Sequence, residues 1–168
     1  MVVQNIALFR FLVSAGLVGM LGFGAVACST PSRVEPADAK RIRQIDAAVE
    51  QIRKAYIGKD PSVFQGLFMP LESLRRMEAA IQMDFDLYEQ ISLDFTIDRV
   101  MQDGPNVAVY FHWQGQWKTP GEEQPLRERG LTVFRMLGYQ TLTLSAIDGD
   151  APFGMSARRI QGERQGGR

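Results

Sequence analysis

The chain is short of the residues that most often carry chemistry. One cysteine, Cys28, and one histidine, His112, occur in 168 residues. A lone cysteine excludes an intrachain disulfide. Together the two fall short of the His and Cys ligands that a zinc centre recruits, so no metal site is expected. No cofactor is expected either, because the turn Gly149-Asp150-Ala151-Pro152-Phe153-Gly154 lacks the glycine spacing of a phosphate cradle. A Ser–His–Asp set would have to use His112. An excess of one charge is also missing. The 19 basic and 19 acidic side chains cancel, which argues against a nucleic-acid partner.

What is present starts at the N-terminus. Arg10 is followed by an uncharged run, residues 11–27, that ends in small residues before Cys28. A charged start, an apolar middle and a small-residue end form the order of an export signal. The run ending in Ala25-Val26-Ala27-Cys28 resembles a bacterial lipoprotein signal closed by a lipobox. Lipidation at Cys28 would bury many methylenes at ~0.8 kcal/mol each, and several chains together give stable anchoring. Two other readings use the same residues. Ala25-Val26-Ala27 also fits ordinary signal cleavage, and residues 5–27 approach the ~20 apolar residues of an uncleaved span. Ser29, rather than Asp, follows the cysteine, which resembles outer-membrane sorting in enteric bacteria. The expected layout is a signal over 1–27, a lipidated Cys28 with a tether to residue 36, a domain over 37–154 and a disordered tail over 155–168. The tether Ser29–Pro36 reaches ~27 Å when extended. A protein released before Cys28 carries a net charge of −1.

Periodicity organises the domain. Ile42, Ile45, Val49, Ile52 and Tyr56 recur at three and four, predicting an amphipathic helix over 37–57 with Gly58 as its left-handed terminator. Asp60-Pro61 is a helix start, an acceptor followed by proline, for a short segment carrying Val63, Phe64, Leu67 and Phe68. Leu71, Leu74, Met77, Ile81, Phe85 and Tyr88 predict a third helix over 71–88. The period then falls to two. Ile91, Leu93, Phe95 and Ile97 alternate with polar residues, and so do Val107, Val109, Phe111 and Trp113. Asp103-Gly104 marks the turn between these strands, and residues 118–123 form a polar loop. Further strands are predicted over 126–137 and 141–147. From Ser156 onward the chain is rich in arginine and glycine and poor in apolar residues, which is the basis for expecting disorder.

Three helices followed by four antiparallel strands is an α+β layout, with the helices packed on a curved sheet. The order of Tyr56-Ile57-Gly58-Lys59-Asp60, Val107-Ala108-Val109-Tyr110-Phe111-His112-Trp113 and Gly149-Asp150-Ala151-Pro152-Phe153-Gly154 resembles the nuclear transport factor 2-like superfamily. The resemblance covers about residues 37–154. It implies a cone, a bent sheet wrapped around a long helix, with an apolar pocket at the wide end and dimers formed through the outer sheet face. Ketosteroid isomerases and SnoaL-like cyclases are enzymes of this superfamily, and it also has lipid-anchored members without known activity.

Candidate site residues follow from position. Tyr56, Met77, Phe95, Trp113 and Phe134 are the candidate lining of a ligand pocket, although aromatics at these periods, Trp117 included, also read as plain core. Glu128 shares strand parity with Phe134 and Met136. Buried beside an apolar cavity it would have a raised pKa and could move protons. Tyr56 is a candidate oxyanion donor by location. His112 alternates out of phase with the core set and falls with Tyr110 and Gln114 on the outer face. Asp94 and Asp98 lie ~13 Å apart on one strand, too far for a glycosidase-type carboxylate pair. The expected function is a membrane-anchored envelope lipoprotein on the periplasmic side, outer membrane favoured. Its domain is read as non-catalytic, binding a small apolar ligand or a protein partner. One alternative is a small isomerase or lyase using Glu128 and Tyr56. The other is a structural homodimer joined through Tyr110, His112 and Leu131.

Overall fold

A computed structural model of the chain describes residues 37–166. The apolar run at 11–27, Cys28 and the tether lie outside the described residues. Among those described, no helix is long and apolar enough to cross a membrane. Three helices come first: α1 (Ala37–Ile57), α2 (Pro61–Leu67) and α3 (Glu72–Leu87). Four strands follow, β1 (Gln90–Asp103), β2 (Asn106–Lys118), β3 (Leu126–Leu137) and β4 (Thr143–Gly149), and then a fourth helix, α4 (Met155–Gly166). The strands form one antiparallel meander in the order β1-β2-β3-β4.

The helices form where the periodicity placed them. Ile45, Val49, Ile52 and Tyr56 of α1 are buried. Ile42 is not; it stands exposed one turn before the buried stripe begins. Asp60 starts α2 by accepting from the amides of Ser62 and Val63 at 3.1 and 3.2 Å and from the Ser62 hydroxyl at 2.6 Å. These bonds, the Ser62 hydroxyl first, hold its carboxyl below the ordinary carboxylate range. The left-handed residue after α1 is Lys59 (φ 53°), not Gly58. Lys59 is held there because its ammonium donates to the carbonyls of Phe85 and Tyr88, the open C-terminal end of α3.

Strand parity matches the alternation. Val107, Val109, Phe111, Trp113 and Trp117 of β2 are buried, while His112, Gln114 and Gln116 face solvent. Asp98 is an extra residue in β1, where the register shifts between Ile97 and Arg99. A second shift lies between Arg135 and Met136 at β4. The end of α2 is tied to the sheet by the Met69 amide on the Leu144 carbonyl at 2.8 Å.

The tail departs from expectation. Residues 155–166 form α4 rather than a disordered segment. Composition alone underestimated it because its order comes from a tertiary partner, not from an apolar stripe. Among residues 155–162 of this helix, only Met155 and Ser156 are buried.

Two substitutions test the packing with opposite signs. Phe134 has no exposed surface and touches Phe95, Phe111 and Phe153, so Phe134→Ala costs about 3–5 kcal/mol. A Cβ on Gly66 in α2 meets nothing within 4 Å, so Gly66→Ala stabilises by about 0.5–1 kcal/mol. Urea unfolding midpoints check both.

Candidate functional site

A carboxylate sits inside the apolar core. Asp84 of α3 follows Ile81 at i+3 and precedes Phe85, so helical geometry places it on the buried stripe, where it has no exposed surface. A buried carboxylate is tolerated only when its oxygens are matched by donors. Here Oδ2 accepts from the Tyr56 hydroxyl at 2.5 Å, the Gly154 amide at 2.7 Å and the Met155 amide at 3.0 Å. Oδ1 accepts from the Ser156 amide at 2.8 Å and the Ser156 hydroxyl at 2.7 Å. Three of these donors are successive amides at the start of α4. Asp84 therefore caps that helix from a distance and places its charge at the positive end of the helix dipole.

The segment leading to α4 is shaped for this contact. Gly154 takes φ +73°, and a Cβ there would stand 3.1 Å from the Ala80 Cβ, so glycine lets the backbone approach α3. The residue before it, Phe153, drives its ring into the interior. It lies 4.8 Å from Tyr56, 5.7 Å from Phe64 and 6.0 Å from Phe134. Upstream, the Asp150 carbonyl accepts from the Trp113 indole at 2.7 Å and from the Thr132 hydroxyl.

The Tyr56 hydroxyl donates to Asp84 and accepts from the Trp117 indole at 2.8 Å. Trp117 reaches it by folding over Gly115, where any Cβ would meet its ring at 2.3 Å. Burial, followed by the Asp84 charge and hydrogen bond, pushes the Tyr56 phenol well above its ordinary pKa. Burial and the same charge push Tyr88 up to about 12. The Tyr88 hydroxyl is buried and has no hydrogen-bond partner among the described residues.

The residues proposed for a pocket do gather in the interior. Tyr56, Trp113 and Phe134 are buried, and Met77 and Phe95 are half-buried. Tyr56 and Phe134 touch Phe153, a ring absent from the expected lining. Rings touch in series from Phe95 to Phe111 (4.6 Å), Phe134 (4.6 Å), Phe153 and Tyr56. Glu128 does not join them. It keeps the inward parity of Phe134 but lies exposed at the start of β3, where full burial begins only at Thr132. Tyr56 and Glu128 are thus not brought together, since one is sealed in the core and the other stands in solvent. Asp84 was missed, although a carboxylate on an apolar helical stripe was a readable sign that donors must come from elsewhere.

The outer sheet face carries most of the remaining polar chemistry. His112 Nδ1 lies 3.0 Å from Asp98 Oδ1 in an exposed pair. Arg99 stacks over the Tyr110 ring at 4.1 Å. Cross-strand register lines up Asp94, Gln114 and Arg129 in one row and Ser92, Gln116 and Arg127 in the next. These two rows line a hollow of about 480 Å³. No cluster of three metal-ligating side chains occurs among the described residues.

Compared with known proteins, the chain matches no family model and no curated protein. Solved structures do resemble it. The Kfla4162 protein from Kribbella flavida superposes with a TM-score of 0.58 at 12% identity, covering 68% of this chain and 93% of that one. A nuclear transport factor 2-like superfamily protein from Salmonella enterica serovar Typhimurium gives 0.58 at 11% identity, covering 71% and 97%. A candidate dehydratase of the same family from Streptomyces avermitilis gives 0.52 at 12%, covering 67% and 99%. The chain therefore has the nuclear transport factor 2-like fold, with four helices on a four-stranded antiparallel sheet.

The buried phenols predict an alkaline transition. Both stay neutral in the fold beyond the pH at which an unfolded tyrosine ionises. Stability is therefore full below about pH 10 and is lost as pH rises toward about 12. Tyr88→Phe removes part of this loss and, by deleting an unpaired buried hydroxyl, is neutral or stabilising by ~1 kcal/mol near neutral pH. Tyr56→Phe strips a donor from Asp84 and orphans the Trp117 indole, costing about 1–3 kcal/mol. Denaturant unfolding at several pH values, followed by tryptophan fluorescence, measures all three.

Proposed function

We propose that the chain is a lipid-anchored protein of the bacterial cell envelope whose domain works by binding a protein partner, a second copy of itself, not by transforming a substrate. The anchor is supported by the residue order that leads to Cys28. Since α1 starts at Ala37, a tether of ~27 Å would hold the domain close to the membrane surface.

One observation carries the binding reading. Asp84 is the only fully buried carboxylate among the described residues, and its oxygens are already taken by five donors of the chain. An acid or base at work needs an oxygen free to meet substrate. The fold hosts ligand-binding proteins as well as isomerase- and dehydratase-like ones, so the site and not the fold decides. Here the accessible chemistry lies on the outer sheet face.

That face is complementary to itself. Strands lie ~4.8 Å apart, so Asp94 on β1 and Arg129 on β3 flank Gln114 of β2 at nearly equal distances. Turn a second copy about an axis running along β2, and β1 of one copy lies over β3 of the other. Asp94 then faces Arg129 twice, Ser92 faces Arg127, and Gln114 and Gln116 each meet their own copies. A two-fold axis across the strands would instead set Asp94 against Asp94. Leu131, 66% exposed on the same face, would be covered in the favoured arrangement.

Each half of the reading has its own experiment. With Cys28→Ser the protein should leave the membrane fraction, and mass spectrometry of the unaltered protein should find a lipid-modified N-terminal cysteine. An unmodified Cys28 refutes the anchor. For the dimer, Asp94→Arg or Arg129→Asp alone should weaken self-association at least about tenfold in sedimentation, and the double exchange should restore it. Equal association by all three variants refutes the interface.

A further inference from the structure

We infer that the space around Asp84 is a binding site for a small aromatic cation, occupied in this structure by the chain's own C-terminal segment. The inference is independent of the anchor and of the dimer.

The occupant outlines the ligand. Phe153 places one phenyl ring against Tyr56, Phe64 and Phe134. Directly after it, the amides of Gly154, Met155 and Ser156 and the Ser156 hydroxyl all donate to one carboxylate. A phenyl group next to a cluster of N–H donors is the shape of an arylalkylammonium or an arylguanidinium. Whatever displaces the segment must replace those donors. A neutral aromatic molecule fills the ring site but strands the Asp84 oxygens. An aromatic anion adds repulsion. An ammonium or guanidinium restores both charge and hydrogen bonds.

A second observation points the same way. Tyr88 is 1% exposed, and its buried hydroxyl has no partner among the described residues. It lies close enough to Asp84 for that charge to raise its pKa. The segment therefore satisfies the carboxylate but leaves unmatched a second buried polar atom that feels the Asp84 charge.

The segment is suited to leaving. α4 packs against α3, and residues 158–162 are exposed. Gly162 interrupts its middle. Its holds on the domain include Phe153, Met155, the bonds to Asp84 and the Arg158 guanidinium, 6.0 Å from the centre of the Trp113 ring. A terminal element opens at lower free energy than a central strand.

The test uses the full chain in detergent and amide hydrogen exchange. At about 10 mM, 2-phenylethylammonium should speed exchange at Gly154, Met155 and Ser156 roughly tenfold while leaving the β2 amides unchanged. Phenylguanidinium should act alike, and toluene and phenylacetate should not. Unchanged exchange at these three amides, or equal effects from phenylacetate, overturns the proposal. Phe153→Ala supplies a second readout. Its unfolding temperature should rise more with 2-phenylethylammonium than with toluene, and an equal rise would show a plain apolar hole and refute a cation site. If that variant does not fold, the exchange experiment decides alone.

Discussion

The arrangement depends on one buried carboxylate and the donors it gathers. Asp84 on α3 bonds to Tyr56 on α1, and through Tyr56 to Trp117 on β2. It also bonds to three amides and a hydroxyl at the start of α4. Three elements distant in sequence meet at two oxygen atoms, and a fourth, β2, joins them through Tyr56. Removing a charge from water costs several kcal/mol, and only a full set of well-aligned donors offsets it. The core therefore closes properly only when the C-terminal segment is in place. That segment in turn gains its helix by finding a negative charge at its N-terminus.

Much of this was legible in advance. The period-three-and-four runs ending at Tyr56 and Tyr88, and the strict alternation through Val107 and Trp113, locate the elements because each buries a single face. The parity of β2 also assigns His112 to the outer face. The misses share a physical cause: they turn on contacts between residues far apart in sequence. α4 has no apolar stripe, so nothing local announces a helix whose first turn is held by α3. Glu128 has inward parity but sits where burial has not yet begun, which alternation cannot reveal. Lys59 adopts a glycine-like conformation beside an actual glycine because its ammonium reaches carbonyls almost thirty residues away.

The structure separates two kinds of polar group. Those inside, Asp84, Tyr56 and the Trp113 and Trp117 indoles, are matched to partners within the chain, with the Tyr88 hydroxyl and Arg41 Nε as exceptions among the described residues. Those on the outer sheet face are arranged in cross-strand rows of unlike charge and amide, open to solvent. The first set fixes shape and the second is available for recognition. The proposed tethered domain acting by contact would need a rigid frame and a patterned surface, and these two sets would supply them. The interior would become a site only when the segment that fills it withdraws.

The central claim is that Asp84 holds the C-terminal helix in place. The most direct measurement is the backbone amide spectrum of the Asp84→Asn variant, in which one oxygen gives way to an NH₂ group facing amide donors. The account predicts that residues 154–166 lose their helical shifts while β1 to β4 keep theirs. A variant in which α4 remains helical with unchanged amide protection would contradict it.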